Sequence, residues 1–171
     1  MINGSDQIPG EYLEADNPAV SSRHFFLFRT LWYDSMKPEL GIAFAGLYSE
    51  IAPPDGMSFP IRLDRMFVYF QLWGDVNDYR LWIRLVEISM DEFGAVSVVQ
   101  LGRDGSPREF RPPTNRPFAI SGVNFVEEFA FPIGPVPFRY AGLYEFQLWV
   151  DGVEEPIGTE RILAREYRYD E

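Results

Sequence analysis

The sequence predicts an all-β protein, an antiparallel β-sandwich of about eight strands. Three observations carry that expectation. Short runs alternate apolar and polar residues, are rich in Phe, Tyr, Val and Ile, and are punctuated by Gly, Pro, Asn and Asp. Nowhere does an i, i+3, i+4 apolar stripe persist long enough to mark an amphipathic helix. Without helices to cover a parallel sheet, that many strands in one domain must pack as two antiparallel sheets.

The strands are expected near residues 23–33, 40–51, 66–73, 79–88, 95–101, 117–131, 143–151 and 157–167. Residues 1–22 precede them as an arm that is either mobile or docked on the body. The arm holds Asp6, Glu11, Glu14 and Asp16 and neither Lys nor Arg, with Pro9, Gly10 and Pro18 as breakers. If it docks, Ile8, Tyr12 and Leu13 are its anchors. Residues 23–171 are expected to be one sandwich domain. Gly74-Asp75-Val76-Asn77-Asp78 reads as the turn of a hairpin between the third and fourth strands. Gly102-Arg103-Asp104-Gly105 is expected to be another tip, and Asp151-Gly152 to join the last two strands. Phe70-Gln71-Leu72-Trp73 echoes Phe146-Gln147-Leu148-Trp149, which suggests equivalent positions in paired or facing sheets.

The segment 103–117 has a different character. Arg103, Arg108, Arg111 and Arg116 outnumber Asp104 and Glu109, and Pro107, Pro112, Pro113 and Pro117 stiffen it. An exposed, semi-rigid basic loop is expected, either simply solvated or able to dock an acidic partner or a phosphate.

At 171 residues the chain suits one ordinary domain. It has no cysteine, which removes disulfides, thiolate metal sites and thiol nucleophiles together. Its 26 acidic and 15 basic residues leave a formal charge of −11. Such a charge repels nucleic-acid phosphates and anionic membranes, and its plain role is solubility. No apolar run is long enough to span a bilayer. The first residues carry neither a basic nor an apolar leader segment, so a cytoplasmic location is expected.

Most chemistries lack their residues. His24 is the sole histidine, and it stands directly before Phe25-Phe26-Leu27-Phe28 without a Gly-x-Ser-x-Gly elbow elsewhere. One His and no Cys cannot make a usual zinc site. Phosphate-cradling glycine motifs do not occur. Asp75-Val76-Asn77-Asp78 fails as a calcium loop, because Tyr79, Arg80 and Val86 occupy the fifth, sixth and twelfth positions. Adjacent acids such as Glu127-Glu128 point to opposite faces of a strand, although a hydrolase using distant paired carboxylates is not excluded by this. The expectation is no enzyme, no metal and no cofactor.

Alternation instead singles out a face. Val68, Phe70 and Leu72, then Leu81, Ile83 and Leu85, then Tyr144, Phe146, Leu148 and Val150 share core phases. Phe67, Tyr69, Gln71 and Trp73, with Trp82 and Arg84, and with Gln147 and Trp149, fall in the opposite phase. They are expected to share one sheet's outer face as a partner or ligand surface. The phase breaks at Glu87-Ile88, which suggests a bulge near 85–86. The cover is expected to be a second subunit, the chain's own arm or another protein. The alternative is a carbohydrate stacking on the tryptophans.

Two stretches also carry a resemblance. They are Gly41-Ile42-Ala43-Phe44-Ala45-Gly46-Leu47-Tyr48-Ser49-Glu50-Ile51 and Gly142-Leu143-Tyr144-Glu145-Phe146-Gln147-Leu148-Trp149-Val150-Asp151-Gly152. With Tyr79-Arg80-Leu81-Trp82-Ile83-Arg84-Leu85-Val86-Glu87 they resemble a family of small bacterial domains of unknown function. That resemblance covers about residues 35–165 and implies an immunoglobulin-like sandwich. It brings no catalytic signature. It leaves function open. The lack of recognisable chemistry beside an outward aromatic face leads instead to the expectation of a non-catalytic interaction or structural module, acting as a homodimer or as a subunit of an assembly.

Overall fold

The computed structural model describes residues 20–33, 42–90, 96–100, 108–114, 116–121 and 126–166. These residues form an all-β structure of fourteen strands in several mostly antiparallel sheets, with no helix among them. Hence no helix among the described residues is long and apolar enough to cross a membrane.

Four strands make the first large sheet: β1 (Val20–Tyr33), β2 (Ile42–Leu47), β5 (Met66–Gly74) and β11 (Val126–Ile133), in the order β11-β5-β1-β2. The second contains β3 (Glu50–Ile51), β7 (Leu81–Met90), β8 (Val96–Gln100), β9 (Arg108–Phe110), β13 (Gly142–Val150) and β14 (Gly158–Ala164). Its order is β3-β14-β13-β7-β8, with β9 also on β7. Only the β14–β3 pairing is parallel among the described ladders. Two short ladders complete the structure. β4 (Ile61–Leu63) pairs β12 (Val136–Phe138), and β6 (Asn77–Tyr79) pairs β10 (Phe118–Ile120).

One hydrophobic cluster draws on both large sheets. Val68, Phe70 and Leu72 of β5 join Ile83 and Leu85 of β7, and Phe146 and Leu148 of β13. Each such side chain, fully withdrawn from water, contributes roughly 1.5–3 kcal/mol. The echoed Phe-Gln-Leu-Trp segments therefore lie in different sheets and feed the same core through their Phe and Leu. Strand period puts Gln and Trp on the far side in both cases.

Several expected elements differ. Val20, Ser21 and Ser22, assigned by sequence to the arm, begin β1 and pair with β5 at Gly74, Trp73 and Leu72. Residues 1–19 of that arm, and the tip at 102–105, lie outside the described residues. The expected strands 40–51 and 117–131 each divide in two, β6 occupies the end of the expected turn at residues 77–79, and β4, β9 and β12 were not expected, because three-residue strands are too short to show a period. The hairpin across Gly74–Asp78 does not form. β5 belongs to the four-stranded sheet and β7 to the six-stranded one, so these residues carry the chain from one sheet to the other. Tyr79, buried, donates its hydroxyl to the Asp75 carbonyl at 2.9 Å and ties this crossover together. The Asp151-Gly152 turn does join β13 to β14, with Gly152 at φ 80°.

The phase break in β7 also has a different cause. Pairing of β7 with β13 runs without slip from Leu81↔Val150 to Ile88↔Leu143. The interruption is on the other flank, where Leu85 pairs with Arg108 but Val86 pairs with Gln100. The seven residues between Gln100 and Arg108 lie outside the described residues. Val86 and Ile88 are thus outward-facing and yet buried.

Candidate functional site: two outer faces and an arginine cleft

The eight residues expected to share one face are divided between two. Phe67, Tyr69, Gln71 and Trp73 lie on β5, outside the four-stranded sheet, whereas Trp82, Arg84, Gln147 and Trp149 lie outside the six-stranded sheet. The residue phases match the alternation, but the expected single surface does not exist. The physical reason is the Gly74–Asp78 crossover, which a glycine- and aspartate-rich turn allows as readily as a hairpin.

On the first face, aromatic rings pair across and along strands. Phe28 stacks on Phe67 at 5.7 Å between centroids, Phe26 on Tyr69 at 6.2 Å, and exposed His24 on Phe26 at 5.8 Å. Gln71 donates its amide both to the Tyr69 hydroxyl and to Glu128, each at 2.9 Å. Burial, above all, pushes the Tyr69 hydroxyl above the usual tyrosine pKa; the nearby Glu128 adds to the rise, and the Gln71 bond opposes it. Phe28 is 0% exposed, so this end of the face is covered within the chain. The other end is open. Trp73 is 41% exposed, and its register partner on β11, Val126, is 36% exposed. The Arg23 guanidinium lies 5.4 Å from the Trp73 ring centroid.

The second face is a ladder of rows set by strand register. Trp149 pairs with Trp82, and their rings stack at 6.3 Å and 12°. Arg111 stands 5.3 Å from the Trp82 ring, and Arg84 stands 4.3 Å from the Trp149 ring. In the next row, Gln147 pairs with Arg84 and Arg84 with Glu109; Arg84 and Arg111 reach separate oxygens of Glu109 at 3.3 and 3.6 Å. Along β13, the Trp149 indole donates to Gln147 at 3.1 Å. Gln147 in turn donates to Glu145 at 2.9 Å, and Arg161 closes the chain on Glu145 at 2.8 Å. Gln147 and Glu145 are buried although they face outward. Indole Nε1 of Trp82 and Nε of Arg84 are buried without a hydrogen-bond partner.

The basic segment is also not a uniform loop. Arg108, Glu109 and Phe110 form β9, and Arg108 is half-buried. Arg108 and Arg111 line a cleft of about 460 Å³ together with Asp64 and Arg65. Arg116 is exposed beside a shallow depression with Arg80, and Arg103 lies outside the described residues. Neither Arg65 nor the structural acid Glu145 had a sequence signal beyond its charge. Glu145 is in phase with Trp149, but its burial follows from the neighbouring rows.

The adjacent acids Glu127 and Glu128 have separate partners. Glu127 accepts from Ser121 at 2.9 Å while its neighbour Glu128 accepts from Gln71. Among the described residues, no three His, Asp or Glu side chains are grouped to hold a metal ion. A search with family models and a search of curated proteins find no match to this chain.

Proposed function

We propose that this chain is a non-catalytic protein-interaction or structural module that works as a homodimer or as a subunit of an assembly. The observation that carries the reading is the open end of the first face, where Trp73 and Val126 meet in register and stay exposed. Val76, just beyond β5, is exposed as well. An indole held on a rigid sheet loses little entropy on contact, and such rings are favoured anchors of interfaces. Light scattering tests the reading: the expected result is a dimer at tens of micromolar that Trp73→Glu converts to monomer. A monomer throughout that range overturns the dimer.

We infer further that the two large sheets are halves of an immunoglobulin-like sandwich. Its support is the strand order, with crossovers from β5 to β7 and from β11 to β13, and the shared core. The Tyr144 hydroxyl adds to it by bonding back to backbone four and five residues upstream, as in a tyrosine corner. Phe146 then stands two residues beyond that tyrosine, the place of a cysteine in antibody domains.

The carbohydrate alternative requires an indole with an open face. Trp82 lies between Trp149 and Arg111, which leaves Trp73 as the ring for that role. Glycan binding abolished by Trp73→Ala favours it, and a silent array removes it.

A further inference from the structure

We propose that the cleft between β9 and the β4–β5 and β11–β12 turns binds a small anionic ligand, one with a phosphate or carboxylate head on a short apolar body. This goes beyond the interaction reading and does not depend on the oligomeric state.

The chain is strongly acidic, yet Arg65, Arg108 and Arg111 come to one cleft from two distant parts of the sequence. They outnumber the two acids among the described lining residues, Asp64 and Glu109. Glu109 is already shared by Arg84 and Arg111. Among the described residues, Arg65 and Arg108 make no ion pair; the one side-chain hydrogen bond of Arg108 is a long 3.5 Å contact to the Pro135 carbonyl. Its Nε is buried with no acceptor. A guanidinium held in a poorly hydrated place without an anion leaves donors unused. An oxyanion reaching its outer nitrogens gains a charge-assisted, fork-shaped contact.

The walls are built rather than loose. Gly134, at φ 151°, lies so close to the β4–β5 turn that a Cβ there would stand 2.4 Å from the Asp64 carbonyl oxygen. β9 is held on β7, and Phe110 stacks under Arg108 at 5.3 Å. The lining is mostly polar, with Phe110 and Ile133 supplying a small apolar part, and the volume of about 460 Å³ suits a ligand of metabolite size. Ten described residues line this open cleft, fewer than the roughly 20–30 a side of a stable protein interface, which favours a small molecule over an acidic protein surface. Asp64 is the one opposing charge not engaged by an arginine, so it should weaken the anion.

Phenyl phosphate and benzoate, titrated by calorimetry up to about 10 mM, test the proposal and separate the two head groups. At least one is expected to bind, more weakly as salt rises. Arg65→Gln, at an exposed position that does not threaten folding, should weaken it several-fold. Arg108→Gln, checked for native circular dichroism, should weaken it about tenfold or more, and Asp64→Asn should tighten it. The proposal is overturned if neither compound binds, or if binding is unchanged in both arginine variants. It is also overturned if only an oligoglutamate peptide binds, which would point to an acidic protein partner instead.

Discussion

The Tyr144 side chain is fully buried, and its hydroxyl has three backbone partners. It donates to the Tyr140 carbonyl at 3.0 Å and accepts from the amides of Arg139 and Tyr140 at 3.1 Å. Tyr144→Phe keeps the ring and orphans those groups, so urea denaturation should show a loss of about 1–3 kcal/mol. Burial also pushes the hydroxyls of Tyr144, Tyr79 and Tyr69 above the ordinary tyrosine value. A raised pKa means that the folded state holds its proton more tightly. The resulting stability is complete below about pH 10 and is lost as pH rises through the folded-state values. Alkaline unfolding should therefore track tyrosinate absorbance. Glu160 on β14 shows the same sign at the other end of the scale, because burial raises its carboxyl pKa. Its favourable contribution is complete below about pH 4 and lost above, so the ionised group is a liability at neutral pH. Glu160→Gln should raise the urea midpoint at pH 7 and leave it unchanged at pH 3.

At the scale of elements, register decides which charges matter. Arg161 on β14 meets Glu145 on β13, whose carboxylate is nearly inaccessible and has Gln147 as its only other side-chain donor among the described residues. Arg165 instead pairs with Glu50, and both of those side chains are exposed. Arg161→Ala is expected to cost about 1–3 kcal/mol, since it leaves a buried acceptor short of a donor. Arg165→Ala should cost less than about 1 kcal/mol. Equal losses in chemical denaturation would contradict the burial of Glu145. The β11–β12 turn has a different vulnerability. Gly134→Ala must displace the Asp64 backbone and strain its own φ, a loss of at least about 1–3 kcal/mol in thermal or urea unfolding.

For the molecule as a whole, two sheets present two unlike outer surfaces. One pairs covered aromatics with an open Trp73 end; the other is a ladder of indoles and guanidinium groups around the buried Glu145. The formal charge of −11 makes the folded chain repel itself. Added salt at neutral pH should raise the melting temperature, and that gain should shrink as acid brings the net charge toward zero. The arginine cleft lies where these scales meet, since its walls come from both large sheets and one short ladder.

The class of fold was legible because strand periodicity is local. Alternation around Phe70, Ile83 and Phe146 was enough to separate core from outward phases, and Asp151-Gly152 was enough to mark a turn. Candidate residues were legible as residues for the same reason. Which sheet each strand joined was not, because pairing is a long-range choice and Gly74–Asp78 is compatible with either a hairpin or a crossover. That choice separated Trp73 from Trp82. Nor could Arg65 be joined to Arg108, as no pattern in sequence relates a β4–β5 turn to a strand of three residues. Sequence by itself determined the period and the phases. Tertiary structure decided which outward residues are neighbours, because only the packing of two sheets brings distant segments to a common surface.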